Sequence, residues 1–168
     1  TPPMLLVAWF SLLVLAGAVL LRLPISHHGG VDFIDALFTS TSAVCVTGLA
    51  VVDTGTEFTR FGQLVLLMLI QSGGLGIMTF AGVALHLLGR RLPLGSQAAL
   101  EDSLFQRDAA SEFNGMFLRV FRLIITAELL GAVLLFTVFV RTERPLVAAW
   151  SALFHSVSAF CNAGFSLY

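Results

Sequence analysis

The stretch Asp35 to Val51, DALFTSTSAVCVTGLAV, returns at Ser151 to Leu167 as SALFHSVSAFCNAGFSL. The two are identical at Ala36/Ala152, Leu37/Leu153, Phe38/Phe154, Ser40/Ser156, Ser42/Ser158, Ala43/Ala159, Cys45/Cys161 and Gly48/Gly164. Each copy reads as a short helix dotted with Ser and Thr that runs into a non-helical strip and reaches a glycine. The chemistry this suits belongs to the backbone. Irregular backbone at membrane depth survives only where it is buried in protein or lines a wet cavity, and carbonyls lining such a cavity replace a cation's hydration shell. The carbonyls in question are those of Val46, Thr47, Gly48 and Leu49, with Asn162, Ala163, Gly164 and Phe165 in the second copy; Val44, Cys45, Phe160 and Cys161 flank them. The negative C-terminal end of each short helix points at the same spot. A helix over residues 32–43 rises only about 18 Å, little more than half a bilayer core, so it dips in without crossing.

Side chains offer a competing chemistry. Ser72, Ser158, His86 and His155 supply hydroxyls and imidazoles for an intramembrane serine hydrolase, but no activated-serine motif surrounds them and the repeat goes unexplained. Cys45 and Cys161 have no neighbouring His or second Cys at ligand spacing, so they read as small buried apolar residues rather than metal ligands or a disulfide framework. His27 and His28 read as solvated loop residues. Glu128 stands inside an apolar run, where a carboxylate must face protein or water; its plainest role is a structural hydrogen bond to a neighbouring helix.

The elements that position the strips follow from composition. Hydrophobic residues make up 57% and charged residues 11% of the 168, with a mean hydropathy of +0.94, against about 25% charged in a soluble domain. The net charge of −1 offers no basic stripe for nucleic acid. Met4 to Leu21 is uncharged and ends at Arg22, which gives a first outer helix; Pro24 and the His27-His28-Gly29-Gly30 run break the chain, and Asp32 can cap the pore helix. After the first strip, Val51 to Thr59 returns to the surface, and Gly62 to Gly89 is a long inner span carrying Gln71-Ser72-Gly73-Gly74-Leu75-Gly76. Glycines this dense mark either close helix packing, as in Ser72-x-x-x-Gly76, or a hinge, and packing is the commoner cause. Residues 90–116 are polar, with Ser96 expected to cap a short interfacial helix bearing Leu100 and Leu104 on one face. Phe117 to Val140 is the third span, and Leu146 to Ala159 the second pore helix. Arg90, Arg91, Arg107, Arg119 and Arg122 outnumber Arg22, Arg60, Arg141 and Arg144, which favours the 90–116 side as cytoplasmic.

The expected fold is therefore an all-α polytopic membrane protein built of outer helix, re-entrant pore loop and inner helix. Residues 1–89 form one repeat, 90–116 a cytoplasmic connection and 117–168 a second repeat that stops after its pore loop. Two spans separate the pore loops, so the repeats run parallel, with a period of 116 residues from Gly48 to Gly164. A cage of carbonyls needs about four such loops round an axis. The chain supplies two and looks like a fragment.

The segments TSAVCVTGLAVVDT, LIQSGGLGIMTF and FHSVSAFCNAGF closely resemble the Trk/Ktr/HKT superfamily of potassium transporters, over the whole chain and nearest to the bacterial Ktr/Trk membrane subunit. That resemblance implies four repeats around one pore, with Gly48 and Gly164 as the filter glycines of the first two. It implies potassium as the transported ion held at the filter, no cofactor in this chain, and a multi-pass subunit in the lipid bilayer of the inner (plasma) membrane. It also implies a homodimer above a cytoplasmic ring of nucleotide-binding regulatory subunits. Members with Ser at the first filter position tend towards sodium, so Gly48 points to potassium; a sodium-permeable or sodium-coupled transporter is the alternative. The intramembrane loop of repeat three and the inner Arg of repeat four have no counterpart in this sequence.

Overall fold

The computed structural model describes residues 2–89 and 102–168. Within them lie α1 (Pro2–Arg22), α2 (Phe33–Val44), α3 (Thr54–Glu57), α4 (Arg60–Gly89), α5 (Asp102–Phe139) and α6 (Pro145–Phe160), with no strand among the described residues. By contacts the chain forms two compact units, Thr1–Gly76 with Glu128–Tyr168 and Ile77–Ala127.

Local chemistry explains the boundaries. α1 ends on Arg22, a charge suited to a helix C-terminus, two residues before Pro24. α2 starts after Asp32, which is extended and donates its N–H to Asp35 Oδ2 at 3.3 Å, half of a capping box. α3 is one turn held by Asp53 Oδ1, which accepts from the Gly55 and Thr56 amides at 2.9 Å each. α6 opens on Pro145, whose missing N–H costs nothing at a first helical position.

One sequence boundary changes, and the hinge alternative for the glycine run drops out. α4 runs unbroken through Gly73, Gly74 and Gly76. α5 is already helical at Asp102, so the separate short helix and the start of the third span at Phe117 merge into one rod. A change from polar to apolar composition does not itself end a helix, and no proline lies between Asp102 and Phe139. Ser96, Leu100, Arg90 and Arg91 lie outside the described residues, as do the side chains of His86 and Leu104. Leu118–Phe139 is long and apolar enough to cross a bilayer, and Val7–Arg22, Phe33–Val44 and Pro145–Phe160 are shorter apolar helices.

In the first unit, Leu21, Val31, Phe58, Leu66, Ile70 and Phe154 are fully buried. The outside is no less apolar: Leu12 and Leu15 on α1, Leu130, Val133 and Leu134 on α5 and Leu146 on α6 are all exposed. Such a surface is matched to hydrocarbon rather than water.

α1 holds α2, and α5 holds α6, by one device. Ser40 Oγ donates to the Val14 carbonyl at 2.8 Å, and Ser156 Oγ donates to the Glu128 carbonyl at 2.6 Å. Three residues after each acceptor stands a glycine, Gly17 or Gly131, where any Cβ would collide with that same serine hydroxyl. The sequence repeat thus extends into α1 and α5, where Gly17-Ala18-Val19-Leu20-Leu21 matches Gly131-Ala132-Val133-Leu134-Leu135 residue for residue.

α4 packs against the C-terminal ends of both α2 and α6 at adjacent residues. A Cβ on Gly73 would strike the Val44 carbonyl, one on Gly74 would lie 2.8 Å from Cys161 Sγ, and one on Gly76 would meet the Phe10 ring at 3.2 Å.

Candidate functional site: two strips that meet at their glycines

α2 and α6 end alike. Cys45 and Cys161 are the C-caps, and the next residues, Val46 (φ 55°) and Asn162 (φ 58°), are left-handed. Val46 N–H donates to Ala43 O at 3.2 Å and Thr47 N–H to Ser42 O at 2.9 Å; Asn162 N–H donates to Ala159 O at 3.0 Å and Ala163 N–H to Ser158 O at 2.7 Å. These are paired Schellman closures, which stop a helix abruptly and send the chain off as a strip. A second left-handed residue follows two positions on, Gly48 (φ 80°) and Gly164 (φ 70°).

The strips touch at those glycines. A Cβ on Gly48 would come 2.7 Å from the Ala163 carbonyl oxygen and 3.1 Å from Gly164 Cα, and a Cβ on Gly164 would come 3.1 Å from Gly48 Cα. Both positions therefore demand glycine twice, for conformation and for space. Among the described residues no hydrogen bond reaches the carbonyls of Val46, Thr47, Gly48, Leu49, Asn162, Ala163 or Gly164. The Phe165 carbonyl differs, since it accepts from Ser158 Oγ at 2.8 Å.

Anchoring is unequal. On the second strip, His155 Nδ1 pairs with Ser151 O at 2.7 Å and Nε2 accepts the Leu167 N–H at 3.2 Å, a network that assigns the proton to Nδ1. The Tyr168 ring stacks on His155 at 5.1 Å, and its hydroxyl donates to Glu143 Oε1 at 2.8 Å. On the first strip, the equivalent of Ser158 is Ser42, whose buried hydroxyl has no partner, and Leu49 is exposed. Cys161 is buried and Cys45 exposed, so the buried apolar reading holds for Cys161 alone. Val44 is fully buried and Phe160 is at the surface.

The outer ends are tied to α4 through Gln63. Its Oε1 accepts from Trp150 Nε1 at 2.8 Å, and its Nε2 donates to Phe58 O at 3.1 Å, while Arg60 lies over the Trp150 ring at 5.8 Å. Neither Gln63 nor the Ser40 and Ser156 clamps stood out in the sequence reading. The shared Gly-Ala-Val-Leu-Leu, aligned at an offset of 114 residues rather than 116, carried the signal for the clamps. The proposed hydrolase set does not assemble from its described side chains: Ser158 gives its proton to Phe165 O, and His155 partners Ser151 and Leu167.

Residues 4–168 match the TrkH family, described as a cation transport protein. This chain belongs to the TrkH family. It is 45% identical over its whole length to the Ktr system potassium uptake protein B of Bacillus subtilis, of which it covers 38%. It is 41% identical to the protein of that name from Vibrio alginolyticus, covering 99% of this chain and 36% of that one. The potassium/sodium uptake protein NtpJ of Enterococcus hirae is 34% identical, covering 99% of this chain and 37% of the relative. The chain thus spans less than two-fifths of these relatives. Membership of a family described as a cation transport protein removes the support for the hydrolase reading.

Proposed function

We propose that the chain forms two of the carbonyl-lined loops of a potassium uptake pathway, with Val46, Thr47, Gly48 and Leu49 and their counterparts Asn162, Ala163, Gly164 and Phe165 contributing to the selectivity filter. The observation that carries this is the meeting at Gly48 and Gly164 of two strips with the same backbone turns, whose carbonyls other than that of Phe165 are unpaired among the described residues. Dehydrating a cation needs oxygens held in place without a competing donor, and backbone carbonyls at the negative ends of two helices supply them. The potassium uptake proteins among the relatives support the choice of ion. A second reading, a pathway that also passes sodium, is favoured by the relative named for both ions. In this reading the chain is multi-pass in the plasma membrane, its repeats are parallel, and the whole protein is a homodimer served by a cytoplasmic ring of nucleotide-binding subunits, in keeping with relatives named as parts of a Ktr system.

The test is ion competition in cells that depend on the full-length protein for potassium. Gly48→Ser adds a side chain at a positive φ beside Ala163 O and Gly164 Cα, so it should lower potassium-over-sodium discrimination. Unchanged competition at normal membrane expression would sink the filter assignment.

A further inference from the structure

The repeat supplies its own internal control for one buried acid. Glu128 stands where repeat one has Val14: each offers its carbonyl to a pore-helix serine, and each is followed three residues later by the glycine that makes room. The clamp uses the backbone of that residue and works with a valine side chain. The carboxyl of Glu128 therefore serves something that repeat one lacks.

Its surroundings say what. Glu128 is 4% exposed on an apolar helix, at a depth where an acid is costly to insert. The Gln71 side-chain amide is its polar neighbour, yet Glu128 Oε1 and Gln71 Nε2 are both buried without a hydrogen-bond partner. The other end of the amide, Gln71 Oε1, faces Cys161 Sγ at 3.8 Å. Cys161 is the cap at which the second strip leaves its helix. Gln71 also lies three residues before Gly74, whose missing side chain lets α4 press against that same cysteine. From Glu128 to the strip the path is thus one side-chain amide long.

We infer that Glu128 is a positioning residue for the second strip, holding Gln71 against Cys161 and so fixing how Asn162 to Phe165 face the transported cation. The inference rests on the reading of that strip as part of an ion pathway. The two loose atoms are an acceptor and a donor, a pair that one buried water or a small side-chain shift would join.

The experiment compares Glu128→Val, the residue of repeat one, with Glu128→Gln, Gln71→Leu and the double variant Glu128→Val/Gln71→Leu in the full-length transporter. Membrane expression, the KM for potassium and sodium competition are read together, with Gly164→Ser as the control for the filter itself. Glu128→Val and Gln71→Leu should each shift sodium competition roughly three- to tenfold at normal expression, and together by no more than either alone. Glu128→Gln should stay near wild type, since an amide keeps the hydrogen-bonding atoms. Wild-type KM and competition in Glu128→Val would overturn the inference. So would a Glu128→Gln shift as large as that of Glu128→Val, or a Glu128→Val protein that fails to reach the membrane while Glu128→Gln does, because the acid then serves folding. A silent Glu128→Val beside a shifted Gly164→Ser defeats this inference alone; if Gly164→Ser is silent too, the ion-pathway reading fails with it.

Discussion

Val46 and Asn162 occupy the same left-handed position at the end of a pore helix, but they differ in how well they tolerate it. Asn visits this region readily, whereas a β-branched side chain is a true outlier there. The strain at Val46 is held in place by the Schellman bonds at Val46 and Thr47. Exchanging the residues should be asymmetric. Asn162→Val adds about 1–2 kcal/mol of backbone strain at an exposed site and should lower the melting midpoint in detergent. Val46→Asn removes such strain at the cost of a partly buried side chain, so its midpoint should change less. Equal losses from both exchanges would show that the left-handed turn is not what distinguishes them.

Among the elements, α4 carries the tightest tolerances. Gly73 lies on the Val44 backbone, which cannot swing aside, and Gly74 lies on the Cys161 side chain, which has some room to turn. Gly73→Ala should therefore disturb assembly more than Gly74→Ala. Gly74→Leu should impair potassium-limited growth far more than Leu66→Ala, although removing the fully buried Leu66 side chain costs about 2–5 kcal/mol. Equal growth of Gly74→Leu and Leu66→Ala at equal expression would leave the glycine run without a packing role. The outer turn α3 is held more lightly. Its Thr56 amide holds the Asp53 carboxyl below the ordinary aspartate value of 3.8, helped by Gly55. A lowered folded pKa means the cap is fully present above the unfolded value and is lost as pH falls through the folded one. Hydrogen exchange at the Gly55 and Thr56 amides, corrected for its intrinsic pH dependence, should show this turn loosening only below about pH 4, near the aspartate reference, and Asp53→Ala should abolish that dependence.

For the molecule as a whole, the proposed filter asks for about four carbonyl-lined loops, of which this chain would supply two. In the proposed arrangement of parallel repeats, residues 92–115 are expected on the side opposite the turn at Arg141–Arg144, and the arginine count favours that side as cytoplasmic. A single Cys introduced between 92 and 115, in a background without Cys45 and Cys161, should resist an impermeant thiol reagent in intact cells and react after lysis. Labelling from outside would invert the topology.

Sequence alone determined the elements that a local rule governs. Apolar run length, Pro24 and Pro145, the cap at Asp32 and the paired glycines marked out α1, α2 and α6 and the two strips, because helix ends and left-handed turns depend on a few adjacent residues. It misjudged α5, since a shift in polarity resembles a boundary but breaks no backbone hydrogen bond. Only the tertiary structure decided what meets what. The abutment of Gly48 on Gly164, the seating of Gly73 and Gly74 on different pore helices, and the nearness of Glu128 to Gln71 all join residues that the chain separates by dozens of positions. Such contacts depend on how helices of similar apolar character choose partners, and that choice rests on a few small residues and hydroxyls whose meaning appears only once their neighbours are in place.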